Sequence, residues 1–281
     1  MAHQVTQKSI LLIGAGAIGT TIATWIAPHH NHFYVMDRGD NLNTIKQNGV
    51  FSYLKNHKEE GEKVRVKMID SFTEIPTPDI ILICVKNYSL EGVSSAIVQA
   101  YGQRCVDHTI IVGLQNGIEN QQILPRYFNK SIYGIISFNA WLDQPGVAGY
   151  QAKGPFIFGT PDNRFQTEVT EIITLFNLGV EALASDRFQD AAMSKMIVNL
   201  SNSFTTLMGL GYQVIDDKSL FQHILSQLIY EGVQIAKASG HKESKVGNTP
   251  SWRLMAASAT LPQCLTRRLF DKNVKKMVIS S

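Results

Sequence analysis

Three glycines near the N-terminus have the spacing of a phosphate-binding turn. Gly14, Gly16 and Gly19 form a G-x-G-x-x-G motif that directly follows the apolar residues 9–13 and opens a stretch of helical length, residues 20–27. In such a turn the first glycine permits a tight bend, the second lets a pyrophosphate approach the backbone, and the third lets helix and strand pack closely. The helix N-terminus then presents N–H groups and a positive dipole end to the phosphates. The motif predicts dinucleotide binding, and a purely structural glycine turn is the alternative.

A charged pair follows the next predicted strand, residues 32–36. An acid at this point hydrogen-bonds the ribose 2′-hydroxyl of NAD, whereas an arginine accepts the 2′-phosphate of NADP. The chain has both, as Asp37 and Arg38, and strand alternation sends their side chains to opposite sides. Only one of them need face the ribose, and the pattern leaves open which one does. The alternative for Asp37 is a loop residue that hydrogen-bonds its own backbone.

Two further polar positions follow predicted parallel strands. Lys86 comes after the apolar residues 79–85, and Asn116-Gly117 closes residues 109–114. Ligands of open α/β sheets bind at the carboxyl ends of the strands, which makes both positions candidates for a binding cleft. The alternatives are a solvated lysine and an ordinary turn dipeptide.

One face of a predicted helix over residues 190–210 carries a cation and small polar groups. Lys195, Asn199, Asn202 and Ser203 occupy positions i, i+4, i+7 and i+8, which share a face. Asn and Ser are mediocre helix formers, so a purely solvated face would more naturally use Glu, Lys or Gln. A cation and amides suit the binding and protonation of a carbonyl oxygen as a hydride arrives.

The elements that must position these residues change in character along the chain. Strands alternate with helices in the first part, which predicts a parallel sheet covered on both faces. Residues 132–138, 147–151 and 156–159 are expected to add antiparallel strands at the sheet edge. From residue 187 the pattern is helical. The predicted fold is α/β, with a Rossmann-type dinucleotide-binding domain over 1–186 and an all-α substrate and catalytic domain over 187–281.

Composition excludes several classes of protein. The 281 residues have 44% hydrophobic residues and a net charge of only +3, which argues against disorder and against a nucleic-acid partner. Cys84, Cys105 and Cys264 form no disulfide or metal pattern, and the eight histidines have no metal spacing either. We therefore expect no metal site. With no apolar run long enough for a membrane helix, we expect a cytoplasmic protein without a membrane partner.

Four segments together resemble the 2-dehydropantoate 2-reductase (ketopantoate reductase) family. Their order and spacing match the family, and the similarity covers essentially the whole chain. The segments are Gly14-Ala15-Gly16-Ala17-Ile18-Gly19, Val85-Lys86, Gln115-Asn116-Gly117 and Lys195-Met196-Ile197-Val198-Asn199. The resemblance implies NADPH-dependent reduction of the 2-keto group of ketopantoate to D-pantoate, in pantothenate and coenzyme A biosynthesis.

The resemblance also implies roles for single residues on the substrate side. Lys195 matches the catalytic lysine that polarises the ketone and delivers a proton, and Asn116 matches an asparagine near the nicotinamide and the reacting centre. Asn199 matches a residue that holds a substrate oxygen. Ser203 stands where some members have another asparagine, and the neighbouring Asn202 is the alternative for that role.

On the cofactor side, the family motif assigns dinucleotide contacts to the glycine turn, Lys86 and Asn116. Arg38 stands where the family binds the 2′-phosphate, so the resemblance favours NADP over NAD. The turn residues with this implied role are Gly14, Gly16, Ala17, Ile18 and Gly19.

The sequence departs from the family at its end. The family's helical domain carries a Ser-Ser pair whose second serine binds the substrate carboxylate, followed by an active-site glutamate and further helix. Ser280-Ser281 end this chain, so Ser281 is expected to be that serine, with the glutamate absent. The helical domain is thus expected to be incomplete, either in a shortened chain or in a naturally truncated protein with weak or no reductase activity.

Several alternatives follow for the function. The substrate can be another small 2-keto or 3-hydroxy acid, or the chain can be a non-catalytic NADP-binding protein. The oligomeric state is open, with a homodimer as one alternative.

Overall fold

The computed structural model describes residues 7–209, 215–247 and 249–260. The chain divides into two compact units between Phe188 and Gln189. The proposed domain bounds, 1–186 and 187–281, differ from this division by two residues. Each unit has its own set of secondary-structure elements.

In the described residues, the strands all lie in the first unit. They are β1 (Ile10–Ile13), β2 (Phe33–Met36), β3 (Val50–Leu54), β4 (Glu62–Val64), β5 (Lys67–Ile69), β6 (Ile80–Ile83), β7 (Ile110–Gly113), β8 (Ser131–Ile136), β9 (Ala140–Gln144), β10 (Val147–Tyr150), β11 (Phe156–Gly159) and β12 (Ala182–Ala184).

Helices connect these strands and form the second unit. They are α1 (Ala17–Ile26), α2 (Gly39–Asn48), α3 (Asn87–His108, broken at Gly102), α4 (Asn120–Ile123), α5 (Gln166–Phe176), α6 (Phe188–Leu207), α7 (Lys218–Ala238) and α8 (Trp252–Thr260).

The main sheet has eight strands in the order β12-β11-β8-β7-β6-β1-β2-β5. The four strands β7, β6, β1 and β2 are parallel neighbours, and their last residues lie in register: Ile13 pairs with both Met36 and Ile83, and Ile83 pairs with Gly113. Strand β1 is flanked by β2 on one side and β6 on the other, so the strand order reverses beside it. In open α/β sheets this switch point is where ligands bind, beyond the carboxyl ends of the strands.

This architecture confirms the α/β class and the helical second part, and it corrects the expected strand additions. The strand predicted within 132–138 is β8, which pairs parallel with β7 and antiparallel only with β11. The strand predicted within 147–151 is β10, which belongs to a separate four-stranded sheet in the order β4-β3-β10-β9. The expected antiparallel pairing was therefore right for β11 against β8, although β12 and not β11 forms the edge of the sheet, and the expectation was wrong for the other two strands.

Helix α1 forms the centre of the first unit. Its residues from Gly19 to Ile26 are all buried, because the helix packs against the main sheet on one side and against β3 and β10 of the small sheet on the other. The Trp25 ring lies edge-on to Tyr150 at 5.0 Å and 5.5 Å from Phe138. This packing on two sides holds α1 in place, and the glycine motif lies at the N-terminal end of this helix.

The described part of the second unit is built from α6, α7 and α8. Ile197 of α6, Val233 of α7 and Trp252 of α8 meet in one buried apolar cluster. Gly232 allows close helix contact, since a Cβ there would lie 2.6 Å from Cδ1 of Leu200. Of the helices in the described ranges, none is both long enough and apolar enough to cross a membrane.

Candidate functional site

The glycine turn has the backbone geometry that its sequence predicts. Gly14 has φ +97° and donates its N–H to the carbonyl oxygen of Met36 at 2.9 Å. A Cβ at Gly14 would lie 3.0 Å from Cγ1 of Val85, and a Cβ at Gly19 would overlap the carbonyl oxygen of Gly14. These two glycines are required by a positive φ and by a close backbone approach.

Gly16 differs, because the space beside it is open. A Cβ placed on Gly16 would meet no atom within 4 Å. Gly16 is also the N-cap of α1, where no side chain accepts a hydrogen bond from the first turn and no acidic residue lies in that turn. The backbone N–H groups of Ala17 and Ile18 in this first turn therefore suit an anionic group that enters the space over Gly16. The turn fits a dinucleotide pyrophosphate.

Asp37 bridges the glycine turn and the loop after β2. Its Oδ2 accepts the backbone N–H of Ala15 at 2.6 Å and the side-chain amide of Asn41 at 3.2 Å. Its Oδ1 accepts the backbone N–H of Arg38 at 2.7 Å. The last bond is the local backbone contact that the sequence left as an alternative, whereas the bond to Ala15 links Asp37 to a residue 22 positions earlier.

Arg38 follows Asp37 in the loop after β2. Its side chain is exposed, and its backbone forms the N-cap of α2. Asp37 by contrast is half-buried, and the opposite side-chain directions expected for this pair stay a prediction. An exposed guanidinium beside a helix N-terminus is suited to an anionic phosphate.

Lys86 and Asn116 lie at the same sheet edge, after β6 and β7. Both are exposed, and Lys86 is the N-cap of α3. The side-chain amide of Asn87 donates to the backbone carbonyl oxygen of Asn116 at 3.1 Å, which joins the two strand ends. The carboxyl ends of the parallel strands therefore carry the glycine turn, Arg38, Lys86 and Asn116.

Gln115 is a site residue whose role the sequence did not reveal. It is buried, and its Nε2 donates to the carbonyl oxygens of Ile83 at 2.7 Å and Val85 at 3.1 Å. Its Oε1 accepts the side-chain amide of Asn120 at 3.2 Å. The sequence signal for this role is the glutamine directly between the apolar strand and Asn116. An amide buried at such a position needs hydrogen-bond partners.

The face of α6 that carries Lys195 and the small polar residues has two partly buried and two exposed members. Lys195 and Asn199 are partly buried, whereas Asn202 and Ser203 are exposed. Burial lowers the pKa of the Lys195 ammonium below its ordinary value, because desolvation disfavours the charged form. Residues on the other side of α6 pack inside the second unit, including Phe204 against Phe221 at 5.1 Å. Lys195 and Asn199, one turn apart, can thus present a cation and an amide together.

The remaining sequence predictions concern the last serine, metal binding and the cysteines. Ser281 lies outside the described residues. Within residues 7–209, 215–247 and 249–260, no three His, Cys, Asp or Glu side chains are grouped to hold a metal ion. Cys84 follows β6 next to the glycine turn, and burial raises the pKa of its thiol, so this thiol stays protonated.

A comparison with family models matches residues 10–163 to the family described as ketopantoate reductase PanE/ApbA. The chain is 25% identical over 236 residues to the 2-dehydropantoate 2-reductase of Pyrococcus abyssi, covering 82% of this chain and 74% of the relative. It is 24% identical over 238 residues to the enzyme of the same name from Archaeoglobus fulgidus, covering 84% and 76%.

Solved structures share the fold. The 2-dehydropantoate 2-reductase of Geobacter metallireducens matches with a TM-score of 0.74 and 19% identity over 92% of this chain and 87% of its own. A D-mandelate dehydrogenase in a ternary structure with NADH and anilino(oxo)acetate matches with a TM-score of 0.70 and 18% identity, covering 90% and 79%. At these identities the likeness extends to the fold alone.

Proposed function

Because the chain belongs to the ketopantoate reductase family, we propose that it catalyses the NADPH-dependent reduction of 2-dehydropantoate to D-pantoate. The observation that carries the proposal is the family match over residues 10–163, a range that includes the glycine turn, Arg38, Lys86 and Asn116. The product would enter pantothenate and coenzyme A biosynthesis, and we place the enzyme in the cytoplasm.

The cofactor side of the proposal assigns a nicotinamide dinucleotide to the first unit. The open space beside Gly16 and the uncapped first turn of α1 support a pyrophosphate there. The exposed guanidinium of Arg38 would hold the 2′-phosphate of NADP, and Lys86 would add a positive charge at the same sheet edge. When bound, the reduced nicotinamide supplies a hydride to the substrate carbon. Asn116 would orient the groups near that carbon through its side-chain amide.

The proton side of the proposal rests on the second unit. As the keto carbon is reduced, negative charge develops on its oxygen, and an ammonium group can stabilise this charge and then donate a proton. Lys195 would be this acid, and its burial brings its pKa closer to neutral pH, where proton donation is efficient. Asn199 would hold a substrate oxygen by hydrogen bonding, with Ser203, Asn202 and Ser281 as further substrate contacts.

The test combines turnover with cofactor binding. We expect the purified chain to oxidise NADPH in the presence of ketopantoate, and Lys195→Ala to lower kcat by about 10²–10⁴-fold, the usual contribution of a positioned acid. The dissociation constant for NADPH should stay unchanged in this variant. Lys237→Ala is the matched control, since Lys237 is an exposed lysine on α7, and it should behave as the wild type.

Two alternatives give different results in the same assay. A chain that oxidises NADPH with another small 2-keto acid, but not with ketopantoate, would keep the chemistry and change the substrate. A chain that binds NADPH and turns over no 2-keto acid would be a non-catalytic NADP-binding protein. Size-exclusion chromatography with light scattering tests the homodimer in the same preparation.

A further inference from the structure

The carboxylate of Asp37 is already occupied by donors from this chain. In dinucleotide-binding folds an acid at the end of the second strand usually hydrogen-bonds the ribose 2′-hydroxyl. Here the carboxylate accepts three hydrogen bonds, from the N–H of Ala15, the N–H of Arg38 and the amide of Asn41. A carboxylate offers about four lone-pair positions, so most of the accepting capacity of Asp37 is in use.

The bond to Ala15 reaches the middle of the glycine turn. Ala15 is fully buried, so its N–H has no access to water and depends on Asp37 as its acceptor. Gly14, with φ +97°, sets the turn that directs this N–H toward β2. The conformation of the backbone next to Gly16 thus depends on the side chain of Asp37.

The bond to Arg38 reaches the other phosphate-binding element. Oδ1 of Asp37 holds the backbone N–H of Arg38 at 2.7 Å, at the point where the chain turns from β2 into α2. The bond from Asn41 ties the first turn of α2 to the same carboxylate. A single side chain therefore connects the glycine turn with the loop that carries the Arg38 guanidinium.

We propose that Asp37 is a positioning residue, which holds the glycine turn and the Arg38 loop in place and does not read the ribose. The proposal rests on the proposed dinucleotide function. It implies that loss of Asp37 weakens the binding of NADPH and of NADH by the same factor. Arg38 alone then distinguishes the 2′-phosphate from the 2′-hydroxyl. It also explains how a chain with an acid at the end of β2 can favour NADP.

The experiment compares Asp37→Ala, Asp37→Asn and Arg38→Ala in two measurements. The first is amide hydrogen exchange of residues 14–19 without nucleotide, followed by mass spectrometry. We expect faster exchange in Asp37→Ala, a smaller increase in Asp37→Asn, which keeps one acceptor oxygen, and no change in Arg38→Ala. The Asn variant also maintains the comparison if the Ala variant does not fold.

The second measurement is the dissociation constant of NADPH and of NADH by calorimetry. In Asp37→Ala we expect both constants to rise by the same factor, about tenfold for the loss of about 1.4 kcal/mol of interaction. In Arg38→Ala we expect the NADPH constant alone to rise. The ratio of the NADPH constant to the NADH constant therefore stays at the wild-type value in Asp37→Ala and rises in Arg38→Ala.

Two outcomes would overturn the proposal. Unchanged exchange over residues 14–19 in Asp37→Ala would show that Asp37 does not hold the turn. A selective loss of NADH affinity in that variant would show that Asp37 reads the ribose. If the wild-type chain binds neither nucleotide, the proposed function fails, while the exchange measurement still decides whether Asp37 positions the turn.

Discussion

The side-chain amide of Gln115 lies 2.7 Å from the carbonyl oxygen of Ile83, the last residue of β6. The same amide donates to the carbonyl oxygen of Val85 at 3.1 Å, just before Lys86. The carbonyl oxygen of Ile83 also accepts the backbone N–H of Leu114 at 3.1 Å, so the glutamine adds a second donor there and supplies one to Val85. Gln115 thus connects the ends of β6 and β7 next to both Lys86 and Asn116.

We expect Gln115→Ala to lower the free energy of unfolding by about 1–3 kcal/mol, because the buried amide of Asn120 and the carbonyl oxygen of Val85 lose this partner, while the carbonyl oxygen of Ile83 keeps only a backbone N–H. Turnover should also fall, since Asn116 is the next residue. Urea unfolding and steady-state kinetics measure the two effects. Gln122→Ala, an exposed glutamine on α4, is the control. A Gln115→Ala variant as stable as this control would contradict the role of Gln115 in connecting β6 and β7.

We expect substitution by alanine to have different effects at Gly16, the N-cap of α1, and at Gly19, in its first turn. Gly16→Ala has room for its methyl group and a φ of −69°, so we expect normal stability. The methyl group would occupy the space proposed for the pyrophosphate, and the dissociation constant for NADPH should rise at least about tenfold, the equivalent of about 1.4 kcal/mol.

Gly19→Ala should instead destabilise the fold, because its Cβ would overlap the backbone carbonyl of Gly14, which cannot move away cheaply. Overpacking of this kind typically costs about 1–3 kcal/mol. Thermal unfolding without nucleotide and calorimetric binding separate the two variants. Equal loss of stability in both would refute the assignment of Gly16 to ligand approach.

The main sheet could be predicted because its central strands have a simple sequence pattern. Residues Ile10–Ile13, Ile80–Ile83 and Ile110–Gly113 are continuous apolar runs, as expected for strands buried on both faces. The small sheet could not be predicted. Its strand β3 pairs in parallel with β10, nearly a hundred residues later, and no local pattern reveals such a distant partner.

The site could be predicted only in part, for a similar reason. Spacing placed the glycine turn, Arg38, Lys86 and Asn116 at strand ends, which are features of local sequence. The link between Asp37 and Ala15 joins residues 22 positions apart, and that between Gln115 and Ile83 joins residues 32 apart. Hydrogen bonds between distant segments depend on the register of the strands, which the sequence pattern does not specify.

The lowered pKa of Lys195 predicts where activity falls on the alkaline side. A proton donor works only while protonated, so activity is lost as pH rises through its pKa. Burial lowers this pKa from its ordinary value of 10.5, and the alkaline limb of kcat/KM should therefore lie below pH 10.5. A pH profile of NADPH oxidation at low ketopantoate concentration measures it. An alkaline limb at the ordinary lysine value would indicate that the acid is exposed.

The same shift predicts that Lys195 costs stability. In the window between the lowered folded pKa and 10.5, the unfolded chain binds more protons than the folded chain, so stability rises with pH there. At neutral pH the buried charge opposes folding, and Lys195→Met should raise Tm while it abolishes turnover. Lys237→Met, at an exposed position, should leave both unchanged. A lower Tm in Lys195→Met would show that the ammonium stabilises the fold.

Two serines on α6 should separate folding from substrate binding. Ser194 is buried, and its Oγ accepts the backbone N–H of Ser244 at 3.1 Å, which ties the segment after α7 to α6. Ser194→Ala leaves that N–H without its acceptor and should lower the free energy of unfolding by about 1–3 kcal/mol. Ser203 is exposed, so Ser203→Ala should change stability by no more than about 0.5 kcal/mol.

In the kinetics we expect the opposite order: Ser203→Ala changes substrate binding, and Ser194→Ala does not. Ser203→Ala is expected to raise the KM for ketopantoate, because Ser203 is proposed to contact the substrate, while the Kd for NADPH stays constant. Ser194→Ala should keep the wild-type KM at temperatures where it is folded. Steady-state kinetics and urea unfolding on both variants provide the comparison. An unchanged KM in Ser203→Ala would shift the substrate role to Asn202, whose exposed amide lies one position earlier on α6.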